Sequence, residues 1–510
     1  MTDKSSDDHH CEWRDRAEAL AVQLTATTAE LAKACGMIAA LEERLTQLQG
    51  VVEKLQRHAF GQRSEKMPPV KEELRRKGVT AADPEAALAK RRENAEKKKA
   101  LPAREIPHHI PEDKKVCLKC GRSAFKALGP GKRTTIFEHV PATFERQVHV
   151  QEVARCHCGE TILTAEGPPK VFEKAGYGPG FLAHLVVSKC SDSIPLTRLA
   201  KQYRRTGIPL NRSTLIDLFH RTAEETSPLW RRLVDLVQAL DIAQADETTM
   251  RVLAKHKTRT AYLWTFLGRT DEDKEIIAYQ FSPSRSGDTP ARVLGDSKGK
   301  LVVDAFSGYN KVTTPEGRTR CGCIAHVRRK FFDALPTAEA AARTAIDFIL
   351  DVYKVEEEAK TRKIAGTDEH LALRRERSWP AMEAFHAWLE AEKPKHLPKG
   401  PMGEAIGYAL NQWQTLIAFL DDARLPVDNN ASEAALRAAA LGRKNFLFVG
   451  HDKAGENLAG LYSLVATCEA NGVNPVTYLT DVLVRLQTHP ASRIDEILPH
   501  NWKQTPVNTS

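Results

Sequence analysis

The sequence predicts a multidomain α+β protein. Three observations lead there: an apolar heptad near the start, two close cysteine pairs after it, and short strands interrupted by a long helical stretch. A chain of 510 residues accommodates about three or four domains of ordinary size. Hydrophobic residues make up 42% of it, enough to bury at least one sizeable core.

The heptad runs from Ala17 to Leu55. Leu24, Leu31, Ile38, Leu45 and Val52 fall seven apart, and Leu41, Leu48 and Leu55 follow the last three by three residues. Thr27 and Ala34 weaken the first two repeats. Such a seam buries only against another helix, so residues 1–66 are expected to form an N-terminal coiled coil that joins copies of the chain into a homo-oligomer. Packing back on its own domain is the alternative. Residues 67–112 read as a basic linker, with Pro68, Pro69, Pro84, Pro102, Pro107 and Pro111 among dense charges and a short helix over Glu85–Lys97.

Residues 113–175 are expected to be a zinc-binding module. Cys117 and Cys120 stand in CLKCG, and Cys156 and Cys158 in CHCG. Four thiolates so spaced can close a tetrahedron around a structural Zn²⁺. The second pair is C-x-C, and His157 can replace one cysteine. The other cysteines are scattered, so ten in a chain of this length give no disulfide scaffold and suit a reducing, cytoplasmic setting. The polar, acidic first residues and the lack of a run of about 18 apolar residues point to a soluble protein outside the membrane.

The net charge is +9, and its placement is informative. Between Lys90 and Arg133 there are 14 Lys/Arg against 5 Asp/Glu, an excess equal to that of the whole chain. A concentrated basic stretch is the footprint of a phosphate-backbone binder; a solvated linker is the bland reading. Residues 176–240 read as a helix-turn-helix-like DNA-binding domain. Leu196–Tyr203 and Asn211–Ile216 are helical on either side of a turn at Gly207–Pro209, with Ser213 available as a cap. Arg204, Arg205 and Arg212 are placed to reach phosphates.

From Asp241 the pattern changes to strands: Asp241–Asp246, Thr260–Arg269 and Glu275–Phe281, a helix over Thr289–Leu294, then a buried strand over Lys300–Asp304. Three strands in meander, a helix and a further strand are the order of a ribonuclease-H-like α/β core, expected here over residues 241–333 with a last part at 421–449. Thr319–Ala325 reads as another strand and His326–Phe332 as a basic helix. An α-helical insertion, residues 334–420, comes between, with Trp379, Phe385, Trp388, Trp413 and Phe419 as expected core anchors and a break at Pro394–Pro401. Residues 450–510 read as a C-terminal helical region.

Three acids stand out on this frame. Asp246 lies on the first strand, Asp304 ends the fourth, and Glu433 opens the returning helix. Phosphodiester cleavage needs a deprotonated attacking oxygen and a stabilised leaving alkoxide. Two Mg²⁺ (or Mn²⁺) ions serve both needs, and carboxylates are their natural hard ligands. Each acid also has a plain structural reading. Asp246 can end a strand, Asp304 can start a turn, Glu433 can complete a capping box with Asn430, and Asp428 rivals it as third ligand. Arg328, Arg329, Arg443 and Lys444 can grip phosphates or simply be solvated. Gly295–Lys300 lacks the spacing of a phosphate-binding loop.

At these residues the chain resembles the transposases of the insertion sequence 66 family of bacterial elements. The matching stretches are Phe60–Lys66, the cysteine pairs, Ala245–Thr248, Val303–Asn310, Ala325–Asp333, Leu425–Glu433, Ala440–Phe448, Leu461–Ser463 and Asn471–Gly472. The resemblance spans roughly residues 20–490. It implies a DDE-type DNA transposase with a leucine-zipper-like start, a zinc-binding module and a catalytic domain carrying a helical insertion. It assigns catalysis to Asp246, Asp304 and Glu433, and implies double-stranded DNA (the element's terminal repeats and the target) and small accessory proteins of the same element as partners. The chain departs from the family pattern at the C-x-C pair, at Thr249 where proline is usual, and after Asp304. A zinc and helix-turn-helix DNA-binding regulator, or a transposase relic without catalysis, is the alternative.

Overall fold

The computed structural model describes residues 12–60, 67–78, 84–99, 144–155, 162–164, 167, 170–172, 176–208 and 210–504. Cys117, Cys120, Cys156, His157 and Cys158 lie outside these residues, and the expected zinc site with them. The chain divides into two compact units, one of residues 71–148 and the other of 1–70 with 149–510. In the larger, α1 (Glu12–Phe60) is one continuous helix on which Leu24, Leu31, Ile38, Leu45 and Val52 are each more than half exposed. Helix α2 (Val70–Arg76) begins at the boundary, and the smaller unit holds α3 (Pro84–Lys99), which starts on proline where no amide donor is needed.

A two-stranded antiparallel ribbon, β1 (Val153–Arg155) and β2 (Ile162–Thr164), precedes four helices. These are α4 (Pro179–Cys190), α5 (Leu196–Arg205), α6 (Arg212–Glu225) and α7 (Ser227–Ala239). Leu182, Leu185 and Val186 of α4 and Leu215 and Phe219 of α6 are buried, and α4 and α5 both pack on α6. The α5–α6 turn passes through Gly207, whose φ of +91° suits a residue without a Cβ. Asn211, not Ser213, stands at the cap position of α6, and its side chain makes no capping bond. The helix therefore begins two residues earlier than its serine suggests.

Next comes a five-stranded mixed sheet: β3 (Ile242–Ala254), β4 (Lys257–Arg269), β5 (Glu275–Ser282), β6 (Lys300–Val302) and β7 (Thr319–Cys321). The order across it is β5-β4-β3-β6-β7. The first three strands form an antiparallel meander, and β6 and β7 run parallel to β3. Helix α8 (Asp288–Leu294) makes the crossover from β5 to β6. β4 is buried on both faces through Leu263, Trp264, Phe266 and Leu267, as an inner strand must be. β3 is longer than its apolar start suggests, so Asp246 stands inside the strand rather than at its end.

Helix α9 (Ile324–Ala334) leads into a helical stretch made of α10 (Glu339–Thr361), α11 (Asp368–Leu373), α12 (Trp379–Glu392), α13 (Pro401–Asn411) and α14 (Trp413–Leu416). Phe385 and Phe419 are buried here, but Trp379 remains 40% exposed and is no core anchor. Arg374, 1% exposed, pairs with Glu356 through two 2.8 Å bonds and donates to the carbonyls of Phe419, Asp422 and Leu425. That buried pair ties the insertion to the segment leading back to the sheet. α15 (Asn430–Phe446), α16 (Asp452–Ala470) and α17 (Pro475–Arg485) complete the chain.

β5 is an edge strand, with backbone groups that lack a strand partner on one side. α16 covers that edge. Ser463 accepts from the amide of Tyr279, Thr467 bonds both backbone groups of Ile277, and Asn471 bonds both of Glu275. Satisfying an edge with side chains closes a site at which another chain would otherwise add.

Candidate active site

Strand alternation decides which way each acid on β3 points. Asp246 lies opposite Thr265, which lies opposite Tyr279, so the three share one face. Tyr279 donates its hydroxyl to the carbonyl of Ala435 in α15 at 2.7 Å, and this face is therefore the one α15 covers. Glu433 sits in the first turn of α15 and is exposed. Asp304 lies two residues beyond the end of β6, in the loop beside β3, where its Oδ1 accepts from the Phe306 amide at 2.9 Å.

Asp246 feels the other two carboxylates. Burial, together with the charges of Glu247, Glu433 and Asp304, pushes the Asp246 carboxyl up to about 7, although the Glu247 amide donates to it at 2.8 Å. Among the described residues no Lys or Arg forms an ion pair with Asp246, Asp304 or Glu433. Nor do three His, Cys, Asp or Glu side chains there converge into a ready cage for one ion. The donor set itself suits a hard divalent cation: carboxylate oxygens, one of them held above its usual range by burial and by the neighbouring carboxylates. Glu433 forms no capping box, because Asp428 accepts from the Asn430 amide instead. Asp428 also takes the Tyr353 hydroxyl at 2.7 Å and the Asn430 side chain at 2.6 Å.

Glu247, on the opposite face of β3, is a residue the sequence did not single out. Its side chain is 4% exposed, bonded to Arg285 Nε at 2.6 Å and to the Tyr309 hydroxyl at 3.1 Å. Burial raises its carboxyl despite that pairing. Arg285 in turn lies over the Phe306 ring at 4.1 Å, and Arg320 of β7 donates to the carbonyls of Asp304 and Phe306. Glu247, Arg285, Tyr309 and Arg320 thus hold the loop that presents Asp304. The available signal was the alternation itself: a carboxyl next to Asp246 on an inner strand must face the other side and needs a partner there.

The far end of α15 is fastened to the same strand. Arg443 donates to Thr248 at 3.2 Å and to the Thr249 hydroxyl at 2.6 Å. Val449 bonds the backbone of Arg251 and Leu253, each at 2.9 Å. Of the other expected phosphate contacts, Arg204, Arg205, Arg212, Arg329 and Lys444 are exposed. Arg328 is 2% exposed, and its guanidinium donates to the carbonyl of Pro68 at 2.8 Å; it faces the protein interior instead of solvent.

Comparison with known proteins bears on this arrangement. Two proteins of Sinorhizobium fredii (strain NBRC 101917 / NGR234), each named only as an uncharacterized protein, align along most of the chain. One, y4hP, is 29% identical over 498 residues, 90% of this chain and 89% of its own. The other, y4qI, is 30% identical over 523 residues, 94% of this chain and 93% of its own. Residues 463–500 match the IS66 C-terminal element. Residues 174–457, more than half the chain and the whole stretch bearing the three acids, match the description "Transposase IS66 family". The chain belongs to the IS66 transposase family.

Proposed function

We propose that this chain is the catalytic transposase of an insertion sequence, cleaving DNA strands at the element's ends and joining them to target DNA. Asp246, Asp304 and Glu433 hold Mg²⁺ or Mn²⁺ on a ribonuclease-H-like sheet. The observation that carries the reading is that three carboxylates come from an inner strand, a neighbouring loop and a covering helix, with the charges of Asp304 and Glu433 both acting on Asp246. The β5-β4-β3-β6-β7 order, with β6 and β7 parallel to β3, supports the ribonuclease-H-like assignment.

When bound, divalent ions lower the pKa of the attacking hydroxyl and stabilise the leaving oxygen. Asp246, on which the charges of both other acids act, would hold the ions together with them. Glu247, Arg285 and Tyr309 fix the Asp304 loop, and the exposed Arg204, Arg205, Arg212, Arg329 and Lys444 grip phosphates. Cys117, Cys120, Cys156 and Cys158 carry a structural Zn²⁺, α5 and α6 act as a helix-turn-helix-like DNA-binding pair, and α1 joins copies of the chain. The reaction belongs in the cytoplasm, with accessory proteins of the element as partners.

The test is strand cleavage and transfer on DNA carrying the element's own ends, with Mg²⁺ or Mn²⁺ and accessory proteins supplied. Wild type should cut, while Asp304→Asn and Glu433→Gln should bind the same DNA without cutting. Variants that cut as fast as wild type would show that other groups do the chemistry. Binding by all three proteins with no cleavage by any would favour a DNA-binding regulator.

A further inference from the structure

We propose that Asn429 is a positioning residue, whose side-chain amide pins the first turn of α15 to β3 and so sets where Glu433 stands relative to Asp246. The inference rests on the three-acid reading above.

Asn429 occupies the cap position of α15. An asparagine there ordinarily turns its side-chain oxygen back to a free amide of the first turn. Here it makes no capping bond. Its side chain is turned inward, 1% exposed, and Nδ2 donates to the carbonyl of Ala245 at 2.8 Å. Oδ1 accepts the hydroxyl of Ser432, itself fully buried, which orients the amide. The Asn429 backbone amide meets Cys323 Sγ at 3.2 Å.

The sheet explains why Ala245 needs this partner. β6 pairs with β3 only as far as Gln244 opposite Val302. The carbonyl of Asp241 accepts from Lys300, so the odd-numbered residues of β3 face that edge, as Arg251 and Leu253 do where they meet Val449. Ala245 is the first of them beyond the end of β6. A buried carbonyl left unpaired is costly, and the Asn429 amide removes that cost. It does so at one register only.

Both acids are then measured from a single side chain. Asp246 directly follows the acceptor Ala245, and Glu433 lies one helical turn past Asn429, its amide donating to the Asn429 carbonyl at 3.3 Å. A slip of α15 by one residue would move Glu433 by about 1.5 Å along the helix axis and turn it by about 100°. The other end of the helix is held separately, through Arg443 and Val449. Loss of Asn429 therefore loosens the catalytic end and leaves the fold in place.

The test uses the full chain with Asn429→Ala, Asn429→Asp and Ser432→Ala. The first readout is the rise in Tm on adding Mn²⁺ without DNA; the second is strand cleavage; the third is affinity for end DNA. Asn429→Ala should need roughly tenfold more Mn²⁺ for half the Tm rise and should cleave about 10–100-fold more slowly, with unchanged DNA affinity. Asn429→Asp should not rescue, because a carboxylate accepts from Ser432 but donates nothing to Ala245. Ser432→Ala, which removes only the orienting hydroxyl, should shift both readouts the same way by less, and it decides the matter if Asn429→Ala does not fold. Wild-type Mn²⁺ response and cleavage in folded Asn429→Ala would overturn the proposal. Asp246→Asn and Glu433→Gln separate the two claims. If they abolish the Mn²⁺ response while Asn429→Ala keeps it, only the latch is wrong. If they too keep it, the acid reading fails and this inference falls with it.

Discussion

A carboxyl group on an inner strand, facing a helix and flanked by two more carboxylates, loses hydration without gaining a cation. Asp246 is in that position, and its carboxyl rises from the usual 3.8 to about 7. Between those values the folded chain keeps a proton that the unfolded chain releases, so stability falls as pH rises through about 4 to 7. The full cost above that window is at most about 4 kcal/mol. Asp246→Asn, which cannot ionise, should therefore raise Tm in EDTA at pH 8, by roughly 3–8 °C. The gain should shrink at pH 5, where wild-type Asp246 is still protonated when folded. Added Mg²⁺ should narrow the difference at pH 8, since a cation favours the ionised form that only wild type has. Thermal scans at the two pH values, with and without Mg²⁺, check this; an asparagine variant less stable than wild type at pH 8 would contradict the cause assigned to the shift.

At the scale of elements, α16 shows how a propensity argument and a packing argument give opposite signs. Gly460 lies inside this helix, where replacing glycine by alanine ordinarily adds about 1 kcal/mol of stability. A Cβ at Gly460 would stand 2.6 Å from the Trp230 indole, whose Nε1 is tied to the Ala223 carbonyl at 3.1 Å and cannot easily retreat. Overpacking of this kind costs about 1–3 kcal/mol, so Gly460→Ala should lower stability in chemical denaturation despite its better helix propensity. The same helix marks the limit of what the sequence discloses. The meander, Asp304 near the end of its strand and the helix opening at Glu433 were legible because apolar runs and turn residues report local structure. The extension of β3 to Ala254 was not. Glu247, Thr248, Thr249 and Arg251 interrupt its apolar pattern, and it turns into β4 through Lys255 and His256, which carry no glycine or asparagine signal although His256 adopts φ +61°. The burial of Arg328, the pairing of Glu247 with Arg285 and the bonds from Ser463, Thr467 and Asn471 to β5 depend on partners distant in sequence. No local pattern encodes those partners.

Over the whole molecule the unmet demand lies in α1. Its 49 residues span roughly 74 Å as a helix, and a protein helix draws most of its stability from packing its apolar face. Leu24, Leu31, Ile38, Leu41, Leu45, Leu48 and Val52 are all more than half exposed along it. A heptad seam left to water is stable only when a second helix covers it, and a second copy of the same seam is the simplest cover. The seam is best formed between Ile38 and Val52, where both apolar positions of each repeat are filled. Ile38→Lys together with Leu45→Lys should therefore convert the protein to monomers in sedimentation while the Tm of the sheet-bearing unit stays within a few degrees of wild type. On the proposed strand-transfer reading, paired-end joining should then fall more severely than cutting at a single end. An unchanged sedimentation coefficient in that double variant would remove α1 from the interface, and a monomeric wild type would mean that the helix is covered only when DNA or an accessory protein is present.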